Sequence, residues 1–277
     1  MRNSRVSCCD YSFPKVPSQS DRIGIVKRLG FDLVDVGLFL TDDSELVSDP
    51  AGHAEKLRDA LQAYDLACED LFYTAGATFE EMAPNQRSGR DRAGRRRGFI
   101  AAAQLASDCG IRGMTILPGT IWPGDFEGGW ETCVEELSWR SEKASGLNLE
   151  LRIEAHAGSI APIPELAARL CAEVPGLRLT LDMSHFELQS VTLDRVLPLA
   201  PITGHLHIRA AKPGAIQVRW TQNETNFAAL LEALRTESYR GAYCVEYVPM
   251  TKWRCDEIDV ITETLATRTA LAELGVT

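Results

Sequence analysis

The sequence lacks the patterns that mark zinc ribbons, disulfide-rich domains and membrane proteins. Its eight cysteines include no Cys-x-x-Cys pair, which favours reduced, mostly buried thiols. No apolar run approaches the roughly 20 residues that a membrane helix needs. The start of the chain, MRNSRVSCCDYSFP, has no apolar segment typical of a secretory signal. We therefore expect a cytoplasmic protein that has no membrane partner.

Positive charge is also scarce. Lys and Arg together number 29, against 39 Asp and Glu, which gives a formal net charge of −10. An acidic surface repels a phosphate backbone, so nucleic acid is not expected as a partner. The glycine-rich phosphate turns G-x-G-x-x-G and G-x-x-x-x-G-K are absent as well. Their absence argues against a doubly wound nucleotide-binding sheet, which is the main alternative architecture.

Short apolar or β-branched runs alternate along the chain with longer amphipathic segments. This order is typical of βαβ units, and 277 residues is close to the roughly 250 of an eight-stranded β/α barrel. We predict a single (β/α)8 TIM barrel that spans residues 1–277 as one domain. Gly30, Gly110 and Gly146 are predicted to end helices just before the next strand. The predicted strands begin at Val6, Leu33, Ala67, Gly113, Asn148, Leu177, Ile202 and Gly241.

Each of the last four predicted strands carries a potential metal ligand near its carboxyl end, where barrel enzymes place their reactive groups. An unpaired buried carboxylate is very costly, and several of them in one place repel each other unless a cation lies between them. The pattern therefore predicts a divalent metal ion. Oxygen-rich ligation favours Mn²⁺, then Mg²⁺ or Co²⁺, with Zn²⁺ less favoured. The predicted ligands are Glu154, Asp182, His207 and Glu246.

The histidines near these strand ends have different predicted roles. His205 and His207 are two apart in a strand, so both point to the same face. His207 lies nearer the barrel mouth and is assigned as the metal ligand, whereas His205 is assigned to the barrel interior. His185, placed in a loop, is predicted to contact the substrate. His156 is predicted to do the same or to support a ligand.

Three further features have two interpretations each. Arg209 follows His207 with the same parity and either contacts the substrate or packs at the rim. Trp122, in the segment PGTIWPGDFEGGW, either forms a wall of the substrate pocket or packs over the rim. The basic run Arg92–Arg97, within Ala83–Gly98, is either an anion clamp or the solvated face of a helix, and charge runs favour the second interpretation.

The segments RIEAH, LDMSHF, GHLHIR and VEYV resemble the metal-binding strand ends of the xylose-isomerase-like superfamily of sugar isomerases and epimerases. The segments CDYSFPKV and RLGFDLVDVGL resemble its first two strands. By the resemblance to its ketose 3-epimerase branch, Glu154 and Glu246 bind Mn²⁺ and also act as the acid/base pair. Asp182 and His207 complete the metal site, and His185 holds a small carbohydrate substrate. Members of this superfamily often form dimers or tetramers.

One departure from the relatives keeps the reaction open. After the strand-seven histidine many relatives continue with an acidic residue, but this chain reads Arg209-Ala210-Ala211-Lys212. The first hypothesis is an isomerase or epimerase that removes a proton next to a carbonyl. A lyase that expels a leaving group by β-elimination from a keto-sugar or keto-glycoside is the alternative. An abasic-site endonuclease and a non-catalytic sugar-binding barrel are less favoured.

Overall fold

Eight parallel strands hydrogen-bond in chain order and close into a barrel, which confirms the predicted (β/α)8 TIM barrel. The structure is a computed structural model that describes residues 5–87 and 91–276. The pairing of the first strand with the eighth closes the sheet, with Ser7 opposite Cys244. The strands are β1 (Val6–Cys9), β2 (Leu33–Leu40), β3 (Ala67–Ala75), β4 (Gly113–Ile116), β5 (Glu150–Glu154), β6 (Arg178–Asp182), β7 (Thr203–Ile208) and β8 (Tyr243–Val245).

The helices lie between the strands, and several begin at a residue whose side chain accepts a hydrogen bond from the first turn. Ser18, Asp91 and Asp259 are examples of such caps. No helix within the described ranges combines the length and the apolar character needed to cross a membrane. The helices are α1 (Gln19–Arg28), α2 (Ser44–Ser48), α3 (Pro50–Ala63), α4 (Phe79–Met82), α5 (Arg92–Asp108), α6 (Phe126–Gly146), α7 (Pro164–Glu173), α8 (Met183–Leu188), α9 (Leu193–Val196), α10 (Phe227–Thr236) and α11 (Val260–Glu273).

The residues pack into two compact units. The first comprises the chain up to Gly37, Ala60–Glu69 and the chain from Leu181 onward. In this unit Arg5 joins β1 to the residues that lead into β8. Its guanidinium donates to the carbonyl oxygens of Tyr239 and Gly241 and lies 5.3 Å from the ring centroid of Tyr243.

The second unit comprises Leu38–Asp59 and Asp70–Thr180. A buried ion pair lies inside it, where Nη1 of Arg152 on β5 is 2.9 Å from Oδ1 of Asp70 on β3. Gly113 on β4 makes room for this arginine, because a Cβ atom there would lie 2.0 Å from the Arg152 guanidinium. A side chain at this position would therefore displace the guanidinium of Arg152 from its place beside Asp70.

Three local predictions need correction. Strand β8 ends at Val245, so Glu246 follows the strand instead of lying within it. His185 lies in the short helix α8 and not in a loop. Gly30 and Gly110 have the predicted left-handed φ, of 86° and 70°, but after α6 the left-handed residue is Asn148 and not Gly146. Asn tolerates this conformation better than most side chains.

The cysteines agree with the sequence. All eight are thiols, and five of them are buried. Two sequence predictions include residues that lie outside the described ranges. The first is the prediction that the start of the chain carries no secretory signal, which includes residues 1–4. The second concerns the segment around the basic run, which includes residues 88–90.

Candidate active site

Strands β5 and β6 carry two of the predicted ligands at their last residues. Glu154 ends β5 and Asp182 ends β6. Two residues before Asp182, the buried hydroxyl of Thr180 lies 2.6 Å from that of Thr115 on β4 and forms a hydrogen bond with it. Arg152, two residues before Glu154 and therefore on the same face, neutralises Asp70 deeper in the barrel. The parity that buries Arg152 thus also directs Glu154 inward.

Strand β7 places two histidines on one face, one above the other. His205 is fully buried, and its Nε2 lies 2.5 Å from Oδ2 of Asp35 on β2. Burial opposes ionisation of Asp35, but the charge of His205 and its hydrogen bond outweigh burial and lower the pKa of this carboxyl. The rings of His205 and His207 meet edge to face with centroids 5.3 Å apart. The Asp35–His205 pair therefore supports the ring of His207 from below.

The four predicted ligands are brought together. Ligand atoms of Glu154, Asp182, His207 and Glu246 all lie within 4.8 Å of one another, and none of these residues is more than 4% exposed. Nδ1 of His207 is 3.6 Å from Oε1 of Glu246. Three buried carboxylates and an imidazole at this spacing fit a divalent cation of the oxygen-preferring type.

Arg209 is also part of this group, which the sequence alone did not specify. Its Nη2 contacts Oδ2 of Asp182 and lies 3.1 Å from Oε2 of Glu246. Its Nε donates to the hydroxyl of Ser184 at 2.7 Å. The guanidinium is buried, so the group consists of three carboxylates and one fixed positive charge. A divalent ion added to these groups would bring their formal charge to zero.

The two histidines that were predicted to contact the substrate lie close to the same site. His156 and His185 form a second cluster with Glu154, again with ligand atoms within 4.8 Å of one another. Nε2 of His185 is 3.7 Å from Oδ2 of Asp182 and 3.5 Å from Nη2 of Arg209. His156 is partly exposed, and its Nδ1 lies 2.8 Å from the carbonyl oxygen of Ala157.

Two neighbours fix the side chain of Trp122. Its indole N–H donates to the carbonyl oxygen of Asn85 at 3.0 Å, and the guanidinium of Arg87 lies 4.9 Å from its ring centroid. The side-chain amide of Asn85 in turn donates to the carbonyl oxygen of Thr120 and accepts from its backbone N–H. These contacts fit the interpretation that Trp122 packs at the rim, and a role in substrate binding stays a prediction.

The basic run has partners on the neighbouring helix α6. Arg92 lies 2.6 Å from Glu135 and also contacts Glu136, which Arg96 approaches to 3.0 Å. The guanidinium of Arg96 also lies 4.3 Å from the ring centroid of Trp139. Because Arg92 and Arg96 are already neutralised, they support the helix-face interpretation over an anion clamp.

Three residues near the site had no role in the sequence prediction. Ser184 holds Arg209, as described above. Burial, and then the negative charge of Glu246, raise the pKa of Tyr11 well above its ordinary value, so its hydroxyl stays neutral. Trp253 meets the ring of His185 edge to face, with centroids 6.0 Å apart. Ser184 lies in the motif LDMSHF and Tyr11 in the motif CDYSFPKV, whereas Trp253 lies in none of the quoted motifs.

A family model described as the xylose isomerase-like TIM barrel matches residues 23–267, and the chain belongs to this family. Because the match covers most of the chain, the resemblance seen in the strand-end motifs is confirmed for the family as a whole. A search of curated protein sequences found no match.

Solved structures with the same fold cover nearly the whole chain at low sequence identity. A 3-keto-D-glucoside 4-epimerase from E. coli is 17% identical, with a TM-score of 0.70 over 99% of this chain and 100% of the other. A D-allulose 3-epimerase from Methylomonas sp. is 15% identical, with a TM-score of 0.74 over 99% of each chain. An AP endonuclease of family 2 from Brucella melitensis is 18% identical, with a TM-score of 0.74 over 98% of each chain. At these identities the likeness shows the fold.

Proposed function

We propose that the protein is a divalent-metal-dependent isomerase or epimerase of a sugar or polyol derivative. The observation that carries the proposal is the convergence of Glu154, Asp182, His207 and Glu246 within 4.8 Å in a buried site. The epimerases among the solved structures, which act on a keto-glucoside and on allulose, agree with this proposal. The reaction class follows from the site chemistry, since the fold alone supports many reactions.

In this proposal those four residues hold the metal ion. Three carboxylates and one imidazole favour Mn²⁺, and Mg²⁺, Co²⁺ or Zn²⁺ are alternatives. The ion supplies stabilisation of the negative charge that develops on the substrate oxygens when a proton next to a carbonyl is removed.

The protein's own groups perform the proton transfer. Glu154 and Glu246 come from different strands, and we assign them as the acid/base pair that removes the proton and returns it. The fixed positive charge of Arg209 contacts both Asp182 and Glu246 and offsets the repulsion between these two carboxylates. His185, which lies beside Asp182 and Arg209, is assigned to a substrate oxygen, and His156 to the same side of the site.

The test measures isotope exchange in D₂O. The metal-free protein is reconstituted with Mn²⁺ and incubated with a panel of ketoses and keto-glycosides, and deuterium at the α-carbon is followed by NMR. We expect exchange that EDTA abolishes and that Glu246→Gln reduces by at least about 10³-fold. Glu263→Gln is the matched control, because Glu263 is buried, binds the backbone N–H of Trp220 and belongs to none of the ligand clusters among the described residues. Absence of bound metal, or absence of exchange with every ketose and keto-glycoside tested, would overturn the proposal.

A lyase is the second candidate, and the residues after β7 favour it. The stretch Arg209-Ala210-Ala211-Lys212 has no acid where many relatives have one. The same proton abstraction would then be followed by loss of a group from the β-carbon. Product analysis distinguishes the two, since an epimerase returns a product with all its atoms and a lyase releases the leaving group. Clusters of potential metal ligands among the described residues include none from β3 or β4, which disfavours a trinuclear nuclease site.

We further propose a cytoplasmic enzyme, because eight thiols suit a reducing compartment. A homo-oligomer, a dimer or a tetramer, and a single domain over residues 1–277 remain part of the proposal. Light scattering measures the molar mass and so tests the oligomeric state. A single cooperative unfolding transition is expected of a single domain.

A further inference from the structure

The segment after Glu246 contains an unusual backbone conformation. Trp253 and Arg254, in the 3₁₀ segment Lys252–Glu257, both have left-handed dihedrals, with φ of 60° and 61°. Side chains with a Cβ atom rarely adopt this region, and two in succession persist only where the surroundings hold them. Such positions cluster at ligand-binding sites, which makes the environment of Trp253 of interest.

Contacts on both sides of the two residues fix this conformation. Arg254 makes two hydrogen bonds, of 2.8 and 2.9 Å, to the carboxylate of Glu257. The buried amide of Gln217, in the segment after β7, donates to the carbonyl oxygens of Val248 and Cys255. It also accepts from the N–H of Val248 at 3.0 Å. Gln217 therefore binds the segment before and after Trp253.

The result is an indole ring that borders two places at once. The indole and the imidazole of His185 meet in a T-shaped arrangement, with centroids 6.0 Å apart. The same side chain lines a cavity of about 450 Å³, together with Leu188, Lys212, Ala215 and Gln222. Leu188 lies one helical turn after His185 in α8, which also brings the cavity next to the candidate active site.

The lining has the chemistry of a carbohydrate subsite. The indole, which the Lys252 ammonium approaches to 4.0 Å from the ring centroid, forms with Leu188 a wall for the C–H face of a pyranose ring. Lys212 and Gln222 provide donors and an acceptor for hydroxyl groups. The volume lies within the range usual for small-molecule pockets, about 300–1,000 Å³. Gln217 is not counted, since its amide is already bound to the backbone.

We infer that this cavity is a second sugar-binding subsite, so that the substrate is a glycoside with a second ring beside Trp253 and not a free monosaccharide. This inference rests on the proposed function, because it places the reacting ring next to His185. It adds the size of the substrate and the residues that select it.

Binding of unreactive sugars tests the subsite independently of turnover. Isothermal titration of the Mn²⁺-loaded protein compares cellobiose, maltose, trehalose and sucrose with glucose and fructose. We expect at least one disaccharide to bind about tenfold more tightly than its component monosaccharides. Trp253→Ala should remove this advantage while monosaccharide affinity stays within about twofold, and Trp253→Phe should retain most of it.

Two further variants separate the subsite from a general effect on folding. Ala215→Leu places a larger side chain in the cavity and should weaken the binding of the disaccharide only. Lys212→Ala should do the same more mildly, and Lys143→Ala on the surface of α6 is its matched control. Melting temperatures confirm that each variant folds.

The outcomes distinguish the two proposals. If no disaccharide binds better than its monosaccharides, or if Trp253→Ala weakens both sugars equally, the subsite is wrong even when ketose exchange is observed. If the disaccharide preference depends on Trp253 but no exchange occurs, the subsite stands and the proposed reaction fails.

Discussion

Replacing Arg209 by Met tests whether its guanidinium shares two carboxylates with a divalent ion. In the structure this side chain contacts Asp182 and lies 3.1 Å from Glu246. Met keeps much of the length and the apolar stem of Arg but removes the charge. The substitution therefore changes the electrostatics of the site more than its packing.

The expected magnitude follows from burial. Asp182 is 1% exposed and Glu246 is 4% exposed, so neither carboxylate can exchange the lost partner for bulk water. Removing one partner of a buried ion pair typically costs about 3–5 kcal/mol. We expect the free energy of unfolding of the metal-free variant to fall by that amount. Without the competing positive charge, Mn²⁺ should bind about tenfold more tightly, which corresponds to about 1.4 kcal/mol.

The assay is urea unfolding of wild type and variant, in EDTA and at one saturating Mn²⁺ concentration, combined with calorimetric titration of the metal. Stabilisation by a ligand grows with the logarithm of its concentration over Kd. The deficit of the variant should therefore shrink by about 1.4 kcal/mol when Mn²⁺ is present. The control is Arg152→Met, which breaks the buried pair with Asp70. It should cost a similar amount whether or not Mn²⁺ is present. Equal Mn²⁺ affinity in wild type and Arg209→Met would refute the reasoning.

Three further predictions concern individual side chains. Glu246→Gln should abolish turnover and leave the circular dichroism spectrum unchanged, because the amide keeps the shape but loses the basic oxygen; wild-type rates would remove Glu246 from the mechanism. The folded-state pKa of Asp35 is lowered, so its stabilising effect is present above the unfolded pKa of about 3.9 and is lost as pH falls through the folded value. Asp35→Asn should therefore flatten the loss of stability in acid, and an unchanged pH profile in urea unfolding would contradict this. Burial raises the pKa of Cys109 to about 11 and that of Cys171 to about 12. At pH 8 both should react with iodoacetamide at under about 1% of the rate of a free thiol, as followed by mass spectrometry, and rapid labelling would count against it.

The barrel and the convergence of its ligands could be predicted because both depend on periodicity. Strand-end positions were assigned from alternating apolar runs, and parallel strands bring their carboxyl ends to one mouth of a barrel. The two-residue repeat of a strand puts His205 and His207 on one face, and His207 was chosen because it lies nearer the barrel mouth. The contact of His205 with Asp35 agrees with that choice.

What could not be predicted depends on partners far apart in the chain. The sequence left Arg209 with two interpretations, since nothing local shows that its guanidinium reaches Asp182 and Glu246. The left-handed conformation of Trp253 lies between Val248 and Cys255, whose backbones are bound by Gln217 from a segment more than 30 residues earlier. The left-handed turn at Asn148 in place of Gly146 shows the same limit on a smaller scale. Both Gly146 and Asn148 can adopt left-handed dihedrals, and packing decides which of them does.

The pairing of β1 with β8 sets an order of events during synthesis. The first strand has no neighbour on one side until the last strand has been made, because Ser7 pairs with Cys244. Until then β1 presents an open edge of backbone N–H and C=O groups, which is a template for association between chains. The guanidinium of Arg5 likewise lacks its acceptors, the carbonyl oxygens of Tyr239 and Gly241, until those residues have been made. Glu246, which follows β8 directly, joins the other three ligands only at that final step. Under the proposed function, a nascent chain is thus expected to bind the metal ion last, so capture of the ion would report that the barrel has closed.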